Sequence, residues 1–339
     1  MITLKQFLEL QPINTPTVID TSLMEKGFVS ALSDLSLIQV SGDDAANYLH
    51  NQLSNDIEHL GIEEARLAAY CTPKGRMLAS FMVWKNSEGI FLQLSSSIQV
   101  SVQKRLQMFV MRAKAKLSHV SEEYAMLGLG GADAGNVLQQ WFPQLPTKDF
   151  AKVENEMGTL ISTFNAFGHT RYQWIVKVAV LETYWPVLQE QLMPVDASVW
   201  RLSEIMAGIP RIIDKTQEQF VPQMVNFELI GGINFKKGCY PGQEIVARSQ
   251  YLGKLKRRMA IATIPSAEVS AGMEVFAEQD QSQPCGMIVN AERSAAATSI
   301  CLVELKVADQ EAGKVYLGSS DGLPLTFLPL PYPMLDVTQ

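Results

Sequence analysis

The sequence predicts an α+β region followed by a small, C-terminal all-β barrel. Three observations carry that. Segments with strand and helix periods alternate as far as about residue 250. Beyond Gly253 no helical period of useful length remains, and short β-type runs alternate with turn-rich segments. At 339 residues the chain is also longer than a single core usually grows. The division that follows is an α+β region over 1–252, with submodules of about 1–120 and 121–252, and a β-barrel over 253–339.

Residues 1 to about 33 mix short apolar pieces with turn formers and commit to little. Leu35 to Val40 reads as a strand, and Asp43 to Leu53 as a helix with Ala46, Leu49 and Leu53 on one face. Arg66 to Cys71 and Met77 to Trp84 form a hairpin across Thr72-Pro73-Lys74-Gly75, where proline and glycine supply the bend. Ile90 to Leu94 is a strand and Ile98 to Val110 a helix. A similar alternation follows: strand Tyr124 to Leu129, helix Ala134 to Phe142, strands Leu160 to Asn165 and Arg171 to Val178, helix Glu182 to Leu192. Ser198 to Ala207 is a further helix, ended by Gly208 and Pro210. Trp200 lies near its start. A tryptophan there is ordinarily core, but it can also stack a flat ligand ring. The barrel strands are Arg257 to Ile264, Met273 to Ala277, Gly286 to Ala291, Ser299 to Val307 and Val315 to Leu317.

Hydrophobic residues at 47% and charged residues at 19% describe an ordinary soluble globular protein. No secretory signal is visible, and no stretch approaches the ~18 apolar residues that span a bilayer. Four scattered cysteines without CxxC spacing argue against a disulfide framework or zinc, so a cytoplasmic location without membrane attachment is expected. Dinucleotide, P-loop, zincin and nucleophile-elbow motifs are absent, and His50, His59, His119 and His169 lie near no cysteine motif. The net charge of −7 excludes a generally nucleic-acid-coating surface. From Lys236 to Arg258, however, seven bases face Glu244 alone, so that window is +6 and the rest of the chain −13. Such a patch suits a specific anionic ligand or partner.

Within it lies Lys236-Lys237-Gly238-Cys239-Tyr240-Pro241-Gly242-Gln243-Glu244. Two ammonium groups and the start of a helix over Gln243 to Gln250 both favour thiolate at Cys239 over thiol. A free cysteine titrates near ~8.5, and two such effects bring it close to half-ionised at neutral pH. Glycines on both sides place the thiol on an exposed turn.

From Gly231 to Glu244 the chain resembles the KGCYxGQE motif of the YgfZ-type folate-binding proteins, relatives of the glycine-cleavage T-protein (aminomethyltransferase). Leu49-His50-Asn51-Gln52-Leu53-Ser54-Asn55-Asp56, Phe220-Val221-Pro222-Gln223 and Leu330-Pro331-Tyr332 resemble other segments of that family. The resemblance implies T-protein-like folate-binding modules, with antiparallel sheets and flanking helices, ahead of the barrel. It implies a tetrahydrofolate-type cofactor and a role in making or repairing iron–sulfur proteins. Enzymes that thiolate tRNA are among the implied partners, and an effect on replication regulation is implied for the bacterial branch. Trp200 matches the second of two folate-facing tryptophans. The first falls at Leu35, which offers van der Waals contact without aromatic stacking. The T-protein's catalytic aspartate would fall in Gly75-Arg76-Met77-Leu78-Ala79-Ser80-Phe81, which holds no carboxylate. Methylene transfer needs a charged or basic group at the reacting nitrogen.

Three readings follow. In the first the protein is a folate-binding helper of iron–sulfur enzymes with Cys239 as its functional thiol. One thiolate is a soft ligand or nucleophile, but a cluster wants about four ligands. In the second it is a one-carbon transferase using Asp56 or Glu244. In the third it contacts RNA directly through the bases of Lys254 to Arg258.

Overall fold

The computed structural model describes residues 13–14, 21–251, 255–280 and 282–334. Three sheets organise them. The first contains β2 (Leu35–Ser41), β3 (Ala65–Cys71), β4 (Met77–Asn86), β5 (Gly89–Ser95) and β6 (Lys116–His119), in the order β3-β4-β5-β2-β6 and antiparallel throughout. The hairpin expected at residues 72–75 joins β3 to β4. Helix α2 (Ala45–His50) follows β2, and α3 (Gln99–Met108) follows β5. Both are shorter than their apolar patterns predict, because the flanking residues close as turns.

The second sheet has the order β11-β1-β7-β10-β9-β8. It comprises β1 (Phe28–Ala31), β7 (Tyr124–Gly130), β8 (Lys152–Asn155), β9 (Gly158–Ala166), β10 (His169–Lys177) and β11 (Met193–Val195). Strand β1, after the short helix α1 (Thr21–Lys26), pairs with β7 and, in parallel, with β11. Helices α4 (Ala134–Leu138) and α5 (Val178–Gln191) share one apolar core with this sheet. The next helix, α6 (Ala197–Met206), is capped by Asp196, whose carboxylate accepts from the Ser198 N–H.

The third sheet comprises β12 (Arg257–Ile264), β13 (Glu274–Ala277), β14 (Gly286–Ala295), β15 (Thr298–Lys306), β16 (Val315–Leu317), β17 (Leu323–Pro324) and β18 (Thr326–Leu328). Its order is β17-β16-β13-β14-β15-β12-β18. The two ends of that order are consecutive in the chain, separated by Leu325 alone, so one segment bonds both edges and nearly closes the sheet into a barrel. The fold is thus α+β, with largely antiparallel sheets and flanking helices ahead of a C-terminal barrel, as the sequence predicts. One correction applies: Val307–Ala312 forms a short helix, α8, where only strands and turns are expected. A single apolar core runs from the first sheet through Trp200 and Phe227 to Met259, Ile261 and Leu302 on the outside of the barrel. Among the described residues no helix is long and apolar enough to cross a membrane.

Candidate functional site

The motif loop is stitched to the segment after α2 before it reaches the thiol. Asn55 Nδ2 donates to the carbonyls of Leu67 (2.7 Å) and Gly231 (2.8 Å). Ser54 Oγ donates to Gly232 O at 2.6 Å, and the Asn234 N–H to Ser54 O at 3.0 Å. Two stretches distant in sequence therefore form one surface.

On that surface Lys237 turns inward. Its ammonium donates to the carbonyls of His50 and, at 2.8 Å, Leu53, where α2 ends and carbonyls lack helical partners. It also lies 4.9 Å from the Tyr240 ring centroid. Burial pulls this ammonium down to about 8, against the attraction of Asp56, Cys239 and Glu58. Lys236 is exposed, so the two lysines do not act as an equivalent pair. Cys239 is exposed, while Cys71, Cys285 and Cys301 are buried. Burial pushes the thiols of Cys71 and Cys301 up to about 12 and that of Cys285 to about 11.

Helix α7 (Gln243–Tyr251) starts where the sequence places it. Its first turn carries the exposed Glu244, and Gln223 Nε2 holds the helix by donating to Val246 O at 2.7 Å. Gly242 has φ +84°, and a Cβ there would meet Thr72 O at 2.4 Å, so the β3–β4 turn lies directly against the motif.

Leu35 and Trp200 meet elsewhere. Both line an inner cavity of about 60 Å³, together with Phe150, Arg171, Gln173 and Phe227. An outer cavity of about 350 Å³ shares Ser95, Glu204, Ile209 and Arg211 with it. The outer space alone lies in the range of small-molecule pockets. Neither lining includes Cys239, Asp56, Glu244 or any base of the 236–258 window. Trp200 is wholly buried: the Arg171 guanidinium lies 4.7 Å from its ring centroid, and its Nε1 donates to Glu204 Oε1 at 3.1 Å. Its ring abuts Gly128 so closely that a Cβ there would be 2.3 Å from Cε3.

The chain matches the family model of the GCVT N-terminal domain over residues 22–162. A protein of Colwellia psychrerythraea named tRNA-modifying protein YgfZ is 33% identical over 234 residues, 68% of this chain and 70% of that one. One of the same name from Edwardsiella ictaluri is 31% identical over 309 residues, covering 89% and 91%. The chain belongs to the YgfZ family. In solved structures, the glycine cleavage system aminomethyltransferase T of Bartonella henselae superposes with TM-score 0.71 over 90% of this chain and 86% of that one. At 14% identity that likeness is one of fold.

In this YgfZ family member the inner cavity is lined by polar as well as apolar side chains. Among the described residues Gln93 Oε1, Gln173 Oε1 and Arg171 Nη2 are buried without a hydrogen-bond partner, and all three residues line that cavity. Unmet buried polar atoms are costly, and three of them on residues lining one cavity set it apart from an ordinary apolar core. The sequence reading missed these residues, although glutamines interrupting the apolar runs of β5 and β10 were a usable signal.

The RNA-facing patch needs correction. Arg258 is buried in an ion pair with Glu228, and Arg257 is held by both carboxylate oxygens of Glu304, one at 2.8 Å. Lys254 lies outside the described residues. Lys256 is the exposed base of that patch among the residues described. The Asp56 carboxylate offered for one-carbon transfer is engaged by His50 and His59.

Proposed function

We propose that the protein is a folate-binding accessory factor in tRNA modification, supporting the synthesis or repair of the iron–sulfur enzymes involved, with Cys239 as its functional thiol. Membership of the family supports the tRNA-related part. The observation that carries the thiol is that, of four cysteines, only Cys239 is exposed, on a loop braced by Asn55, Ser54 and Lys237. A thiol so placed can be reached by a protein partner, whereas the other three are inert.

The folate part rests on the cavity around Trp200. Gln93, Gln173 and Arg171 would hold the pterin head, and Leu35 and Trp200 would pack against it. The outer cavity, with Arg201 and Arg211, would take the rest of the ligand. Folate supplies one-carbon or redox chemistry when bound; the chain's own task is to orient it and exclude water. Arg211 is fixed by Asp34 and Glu204, and Arg201 by Glu292, so the guanidinium groups are placed in advance. A transferase reading would need Asp56 or Glu244 at the cavity, and neither lines it.

Complementation tests this. In cells lacking the protein, Cys239→Ala is expected to fold yet fail to restore tRNA modification, while Cys285→Ala restores it. Full restoration by Cys239→Ala would remove the thiol from the function.

A further inference from the structure

The surface formed by α3 and the turn behind it is used by neither the thiol loop nor the two cavities. From Gly89 to Ser121 the chain holds Lys104, Arg105, Arg112, Lys114 and Lys116 and no acid, so that stretch is +5 and the rest of the chain −12. Helix α3 buries Gln99, Val102 and Leu106, and Tyr48 Oη donates to Leu106 O at 2.6 Å. The other stripe of the helix, Val100, Lys104 and Met108 at four-residue spacing, therefore faces solvent. Apolar side chains stand out there: Val100 is 75% exposed, Met108 63%, Phe109 48% and Met111 86%. Among the described residues Lys104, Arg112 and Lys116 are exposed and have no ion-pair partner, while Lys114 reaches Asp43 at 3.4 Å.

The turn that carries these groups is braced. The Phe109 N–H donates to Leu106 O at 2.9 Å, and the Ala113 N–H to Val110 O at 2.8 Å. Lys114 and Asp44 are bonded twice: the Lys114 N–H donates to Asp44 Oδ2 at 2.7 Å, and the Asp44 N–H to Lys114 O at 3.2 Å. Gly42, at φ +112°, lies so close that a Cβ there would be 2.1 Å from Lys114 O. Met111 has φ +47°, a left-handed backbone that residues with side chains rarely adopt. The fold thus spends strain on presenting the most exposed large apolar side chain among the described residues.

We propose that this face docks on the surface of an anionic lipid bilayer. A bilayer offers a plane of phosphates above an apolar layer. Lys104, Arg112 and Lys116 meet the headgroups, while Val100, Met108, Phe109 and Met111 enter the boundary beneath them. RNA offers the phosphates without an aliphatic layer, which leaves Val100 and the two methionines unmatched. The expected lack of membrane attachment rested on spanning segments and signals, and a surface contact needs neither. The inference is independent of the function proposed above, since none of these residues lines either cavity or belongs to the thiol loop.

The test is flotation of the full chain at low salt, with vesicles of one part phosphatidylglycerol to three of phosphatidylethanolamine, and with vesicles of phosphatidylcholine alone. The wild type should float with the first and not with the second. Arg112→Gln should weaken partition about fivefold, and Lys104→Gln combined with Arg112→Gln about 25-fold. Met111→Ser should weaken it at low and high salt alike, because it removes apolar contact and no charge. Lys256→Gln, the same charge change on an exposed base beside the barrel, should float as the wild type does. Every changed side chain is exposed, and an unaltered circular dichroism spectrum confirms that each variant is folded. No flotation of the wild type, equal flotation with both kinds of vesicle, or equal partition of the wild type and the double variant would overturn the proposal. Fluorescence anisotropy of a labelled tRNA transcript reads the rival: tRNA binding that the double variant loses, without flotation, would assign the face to RNA instead.

Discussion

Gly128→Ala adds one methyl group in β7 and should be felt in both stability and ligand binding. The new Cβ would lie 2.3 Å from Trp200 Cε3 and 2.5 Å from Cδ2. Carbon atoms want roughly 3.5–4.0 Å, so the indole must retreat by more than 1 Å. It cannot do so freely, because Arg171 covers the ring and Glu204 accepts from its Nε1. Overpacking a rigid core costs about 1–3 kcal/mol, and loosening the bond to a charged acceptor adds about 1 kcal/mol or more. A loss of about 3 kcal/mol is therefore expected in urea unfolding followed by circular dichroism. Gly168→Ala is the control: it has φ +80° but nothing within 4 Å, so only the backbone cost of about 1 kcal/mol applies. Because Trp200 lines the inner cavity, Gly128→Ala should also weaken tetrahydrofolate binding, whereas Gly168→Ala should not. Equal stability of the two variants, within 0.5 kcal/mol or so, would refute the claim that Trp200 is clamped.

Two further outcomes follow from the thiol loop. Burial lowers Lys237 to about 8, so between pH 8 and the ordinary 10.5 the unfolded chain holds a proton that the folded chain has released. Stability should rise with pH across that window, by roughly 2–3 kcal/mol at most, and Lys237→Met should lose that slope; an unchanged slope in denaturant midpoints would contradict it. Alkylation of the native protein should label Cys239 alone, with Cys71, Cys285 and Cys301 reacting only after denaturant is added. Early labelling of Cys301 would mean the barrel opens far more readily than its packing implies.

What was legible in the sequence was what local pattern encodes. The turn at 72–75, the helix from Gln243 and the exposure of Cys239 follow from proline, glycine and apolar spacing within a few residues. Strand β1 was not legible: all four residues are buried, so no alternation marks it, and its parallel partner β11 lies far along the chain. The basic window looked like a free patch because Glu228 and Glu304, which pair with Arg258 and Arg257, two of its three arginines, come from other elements. The segment after α2 and the motif loop are likewise far apart in sequence, and only the bonds from Ser54, Asn55 and Lys237 bring them together. Leu35 and Trp200 do share one cavity, yet the residues with unmet polar atoms there, Gln93, Arg171 and Gln173, were hidden inside strands.

The most direct measurement is a calorimetric titration of tetrahydrofolate into wild type, Cys239→Ala and Gln93→Leu. If the cavity binds folate and the thiol is a separate station, wild type and Cys239→Ala bind with equal affinity, and Gln93→Leu, lacking one acceptor, binds about tenfold more weakly, near 1.4 kcal/mol. No binding to the wild type, or a loss of affinity in Cys239→Ala, would contradict it.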